Sequence, residues 1–155
     1  MKTSEEWVFD RVLAWLQEGQ RVWLCTIVAT AGAAPRPLGL LLALNSAGEL
    51  AGSLSGGCIE DDLLERIRCG ELAADKPVLR HFGVTAEENE RLGLPCGGRL
   101  DILIEPLKVS HSHQVETVLK TLAERNCLRR TIDLDSGDWQ LEAVAAVSAL
   151  QLTEN

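Results

Sequence analysis

The run "RVWLCTIVAT" (21–30) carries large or β-branched apolar residues on both alternating faces. A strand with one face in water alternates apolar with polar residues, whereas a continuously apolar strand needs cover on both sides. The segment therefore reads as a buried central strand, and amphipathic helices are one way to cover it. The flanking sequence offers them. In "TSEEWVFDRVLAWLQEG" (3–19), Thr3 and Glu6 have capping-box spacing, Val8, Val12, Trp15 and Leu16 share one helical face, and Gly19 is placed as a stop. "CIEDDLLERIRCG" (58–70) puts Ile59, Leu63, Leu64 and Ile67 on one face and ends at Gly70. "SHQVETVLKTLAERN" (112–126) carries a stripe of Val115, Val118, Leu119 and Leu122.

Strands are predicted between these helices. "LLLALN" and "ELAGSLS" form a hairpin around "NSAGE"; "PVLRHFG" and "RLDILIEP" are single strands; "CLRRTIDL" and "DWQLEAV" close a second hairpin around "DSGD". A short capped helix is expected over "TAEENERLG" (85–93), and the Ala-rich tail (145–155) fits strand or helix equally. Alternating helices and strands predict a single α/β domain over 1–155, with a mixed β-sheet flanked by helices. A chain of 155 residues is large enough for one well-filled core.

Charge narrows the partners. Fifteen basic against 23 acidic residues leave a net charge of −8, which disfavours nucleic acid and anionic membranes. The polar start "MKTSEEWVFD" lacks the apolar core of a signal peptide, and no apolar run approaches the roughly 18 residues of a membrane span, so a cytoplasmic location is expected. Five cysteines, an odd set without repeated spacing, read as free thiols in a reducing compartment.

Three loops concentrate the chemistry. In "SLSGGCIEDD", Gly56 and Gly57 precede Cys58 at a helix start, where free N–H groups favour anions and a thiol is acidified. Cys58 is then a nucleophile or metal ligand, or else a small residue buried behind a turn. The negative charge of the run Glu60, Asp61, Asp62 opposes both thiolate formation and anion binding there. In "GLPCGGR", Pro95 fixes the chain before Cys96, Gly97 and Gly98 permit close approach, and Arg99 adds positive charge. The alternative there is a plain turn leading into a strand. Arg36, between two prolines in "GAAPRPLG", either clamps a phosphate or carboxylate or is a solvated loop residue.

The other candidates are weaker. Cys25, Cys69 and Cys127 are expected to pack, His81 to be a satisfied, partly buried strand side chain, and His111 and His113 to cap a helix or face solvent. Cys58 and Cys96 lie 96 − 58 = 38 positions apart without close partners, which argues against structural zinc with its four ligands. Neither of the two common glycine-rich phosphate loops is present.

Taken in order, "TIVATAGAAPRPLG", "GELAGSLSGGCIE", "LRHFGV" and "GLPCGGRLDILIEPL" resemble the N-terminal domain of the XdhC/CoxI family, over about residues 10–108. Members of that family are accessory factors of xanthine dehydrogenase and related molybdenum hydroxylases. The resemblance implies transient binding of the molybdenum cofactor (molybdopterin), its protection during sulfuration with sulfur from a cysteine desulfurase, and its delivery to the hydroxylase. It implies cofactor contacts at Arg36, Gly56, Gly57, Cys58, Cys96, Gly97 and Gly98, with Cys58 nearest the metal and no catalytic residue. Family members carry a second, Rossmann-like domain that is not expected within 1–155, so a homodimer or heteromer is expected to complete the pocket. Two other classes fit the residues: a thiol-dependent sulfur-transfer or redox protein using Cys58 and Cys96, and a docking module that holds no cofactor.

Overall fold

The computed structural model describes residues 2–31, 39–54, 58–71, 75–82 and 99–145. The predicted helix at 85–93 and the tail beyond Ala145 lie outside the described residues. Helix α1 (Ser4–Gln17) begins with the expected capping box: the Glu6 N–H donates to Thr3 Oγ1, and the Thr3 N–H donates to the Glu6 carboxylate, both at 3.2 Å. It ends in a left-handed Gly19, whose φ is +79°.

Strand β1 (Val22–Ala31) lies at the centre of a five-stranded sheet of order β3-β2-β1-β5-β4. Its neighbours are β2 (Leu41–Asn45) and β5 (Arg99–Leu107), and its edges are β3 (Leu50–Gly52) and β4 (Val78–Phe82). Helix α2 (Cys58–Arg68) joins β3 to β4, and α3 (Ser112–Ala123) follows β5. A separate hairpin, β6 (Cys127–Ile132) with β7 (Trp139–Val144), completes the described fold.

The two apolar faces of β1 are covered as its sequence demands. Trp23, Cys25 and Ile27 pack with Leu42, Leu44, Ile102 and Ile104 beneath Ile59 and Leu63 of α2. Val22 and Leu24 face the other way, toward Val8, Val12, Trp15 and Leu16 of α1 and Val115 and Val118 of α3. The result is a helix–sheet–helix sandwich, with the β6–β7 hairpin added on the α1/α3 side through Trp139.

The α/β class stands, but the sheet differs from the mixed one expected: every described pair of strands is antiparallel. The reason lies in where α2 leads. It connects two strands that run the same way, as helix crossovers do, but β3 and β4 occupy opposite edges and never pair.

The β6–β7 hairpin is fastened to the sheet by polar groups. Glu105 of β5, 1% exposed, receives Arg130 Nη1 at 2.8 and 2.9 Å and the Trp139 Nε1–H at 3.0 Å. The Arg130 guanidinium also lies 4.5 Å from the Trp139 ring centre. His111 is a cap, one of its two expected roles, and is buried rather than in solvent. Its Nδ1 accepts the Lys108 N–H at 3.0 Å, so Nε2 carries the proton that is donated to the Gly137 carbonyl at 3.2 Å.

Candidate functional site

The strand registers bring the roots of the three loops together. Ala31, the last residue of β1, pairs with Arg99, the first of β5; Phe82 at the end of β4 pairs with Leu100; Gly52 at the end of β3 pairs with Leu42 near the start of β2. Strands β1, β3 and β4 therefore finish, and β2 and β5 begin, at one end of the sheet. Segments 32–38, 55–57 and 83–98 all span connections at that end. The opposite end carries the β2–β3 turn and the approaches from α1 and α2. A groove lined by Gln20, Arg21, Asp75 and Lys108 also lies there, away from the loop roots.

Arg36, Gly56, Gly57, Cys96, Gly97 and Gly98 lie outside the described residues, while Cys58 is the first residue of α2. Chain length bounds the others. Cys96 is three residues from Arg99 and Arg36 three from Gly39, so neither lies more than about 11 Å from its root. Neighbouring strands are about 4.8 Å apart, so the loop roots from β3 to β5 span about 14 Å.

The acidic run after Cys58 is sorted by the helix. Glu60 turns inward, 4% exposed, and its Oε1 accepts the Leu54 N–H at 2.8 Å. Asp62 pairs with Arg66 Nε at 2.6 Å, one turn along, and Asp61 is exposed to solvent. Only Asp61 of the three is thus left on the water-facing side. A second polar pair sits at the root of segment 83–98: His81 Nδ1 and Asp101 Oδ1 are 2.6 Å apart across β4 and β5. His81 is a satisfied strand side chain, as expected, but it is exposed rather than partly buried because β4 is an edge strand, while Asp101 escapes sequence reading because its partner is 20 residues away. Strand alternation would have found it only once β4 and β5 were known to pair. Among the described residues, no group of three or more His, Cys, Asp or Glu side chains could hold a metal ion.

The remaining thiols divide. Cys25 is fully buried in β1 and Cys127 half-buried, both as expected. Cys69, expected to pack, is instead exposed one residue beyond α2, because the apolar stripe of that helix has already ended at Ile67. Burial pushes the Cys25 thiol far above its ordinary value of 9.0, with the Glu105 and Glu60 carboxylates adding to the shift. Above that pH the unfolded chain loses the proton and the folded chain keeps it, so stability falls as pH rises. The advantage of the wild type over Cys25→Ala should shrink by about 1.4 kcal/mol per pH unit above about pH 9. Urea unfolding of both proteins at about pH 8 and about pH 10 checks this, and a constant gap would contradict it.

Comparison with known proteins follows the same outline. Residues 15–83 match the XdhC and CoxI family, a span that holds Arg36 and Cys58 and stops before Cys96. The chain is 24% identical over 127 residues to a Bacillus subtilis protein named as a probable component of xanthine dehydrogenase, covering 81% of this chain and 38% of the relative. It shares its fold with a Bacillus halodurans crystal structure described as a xanthine dehydrogenase, at a TM-score of 0.62 and 20% identity, covering 89% of this chain and 42% of that one. The chain thus spans about two fifths of the length of these relatives. The part of the chain that is similar to the XdhC and CoxI family, residues 15–83, holds β1, β2, β3, α2 and β4 and two of the three loop segments.

Proposed function

We propose that this domain is an accessory factor of a xanthine dehydrogenase-type molybdenum hydroxylase, and that it holds the molybdenum cofactor as cargo rather than turning over a substrate. The observation that carries the reading is the common origin of the three loops at one end of the sheet. The family match over residues 15–83 and the names of the two relatives support it.

The donor set suits such a cargo. A thiolate suits a soft, sulfur-held metal, and the first turn of an 11-residue helix offers N–H groups to an anionic pterin phosphate. Cys58 is assigned to the metal end, Cys96 to a second contact, and Arg36 to the phosphate. The glycines Gly56, Gly57, Gly97 and Gly98 let backbone approach the ligand without Cβ atoms in the way. Protection during sulfuration by a cysteine desulfurase and delivery to the hydroxylase complete the role, and a second copy of the chain closes the open side of the pocket.

Expression in cells that make the cofactor, followed by assay of bound molybdenum and oxidised pterin fluorescence, tests this. The wild type should retain both, and Cys58→Ser and Cys96→Ser should each retain at least tenfold less. A wild-type protein that is empty and takes up no cofactor in vitro, or a pair of serine variants that load normally, would sink the reading.

A further inference from the structure

Segment 55–57 is closed at its roots by one side chain. Leu54, fully buried, precedes the segment, and Cys58 follows it as the first residue of α2. Glu60, the third residue of α2, accepts the Leu54 N–H at 2.8 Å. A side chain of the helix thus holds the residue that leads into the glycines. A carboxylate that is 4% exposed beneath a helix is costly to bury unless its hydrogen bonds compensate. The exposed acids of α2 face no such demand, and packing alone would favour leucine here.

We propose that Glu60 is the positioning residue of the start of α2: its carboxylate oxygen fixes the first turn of the helix against Leu54, just beyond β3, and so fixes the backbone from which Cys58 departs. The inference rests on the cofactor-holding reading for its purpose, though not for its geometry. What matters is an acceptor at the reach of a glutamate side chain, not a negative charge. Two conservative variants separate those properties. Glu60→Gln keeps the oxygen and its reach and discards the charge, whereas Glu60→Asp keeps the charge and withdraws the oxygen by one methylene.

Three quantities are read on each full-length variant: amide hydrogen exchange at Leu54, the rate of Cys58 alkylation by iodoacetamide relative to Cys69, and bound molybdenum after expression with the cofactor. Glu60→Asp should raise Leu54 exchange at least tenfold, raise the Cys58-to-Cys69 alkylation ratio severalfold, and lower bound molybdenum at least tenfold. Glu60→Gln should stay within about twofold of wild type on all three. A purely structural loss would leave the Cys58-to-Cys69 ratio unmoved, which would overturn the proposal. So would a Gln variant that fails alongside Asp, an Asp variant that matches wild type, or the reverse order, which would assign the role to charge. If the wild type itself carries no molybdenum, the cofactor reading falls, and the exchange and alkylation results still decide the role of Glu60.

Discussion

Replacing Arg130 with alanine should lower the unfolding free energy by about 3–5 kcal/mol, measured by urea denaturation. The partner, Glu105, is 1% exposed and takes two bonds from one guanidinium nitrogen, at 2.8 and 2.9 Å. Without Arg130 it keeps the Trp139 N–H at 3.0 Å, too little to offset the loss of hydration around a buried negative charge. The variant also removes the cation from the face of Trp139. The cost is specific to an unpaired charge. Replacing both partners by leucine should recover only part of the stability, because it removes the unpaired charge but leaves the buried Trp139 N–H without its acceptor. A loss below about 1 kcal/mol in the single variant would place the pair among ordinary surface contacts.

Gly52→Ala should cost about 2–5 kcal/mol by the same measurement. Gly52 ends β3 at φ +91°, a backbone region that side chains rarely adopt. An added Cβ would also stand 2.4 Å from the Leu41 carbonyl oxygen and 3.0 Å from Val8 Cγ2. The first of these is backbone inside a paired strand, so it cannot swing aside. Gly48 supplies the control: its φ is +84°, but nothing lies within 4 Å of its added Cβ. Gly48→Ala should then cost only the conformational strain, about 1 kcal/mol. Equal losses at the two positions would show that the contact with β2 is unimportant.

Much of the fold can be read from local pattern, because local chemistry decides it. Thr3 and Glu6 are three residues apart and find each other within one helical turn. The two apolar faces of β1 announce covering layers on both sides. Pairings across long sequence separations escape that reading. Glu105 and Arg130 are 25 residues apart, each ordinary in its own segment, and only the docking of the hairpin joins them. Strand order escapes it likewise, since helix–strand alternation does not say that β3 and β4 take opposite edges. At the site, Cys58 at a helix start is legible from its glycines. The inward turn of Glu60 agrees with its spacing of three, four and seven residues from Leu63, Leu64 and Ile67, but its bond to the Leu54 N–H is not legible, because that partner lies six residues back outside the helix. Arg36 and Cys96 lie outside the described residues, and only their roots bear on their placement.

The path of α2 ties the start of one cysteine segment to the strand from which the other departs. This one helix begins at Cys58, next to the β3 edge, and hands the chain on to β4, from whose far end the segment bearing Cys96 departs. At about 1.5 Å per residue its 11 residues make a rod of about 16 Å, close to the breadth of the sheet it lies on. Ile59 and Leu63 key that rod into the central strands. The start of α2 and the far edge strand β4 thus share one apolar core, through Ile59, Leu63 and Phe82.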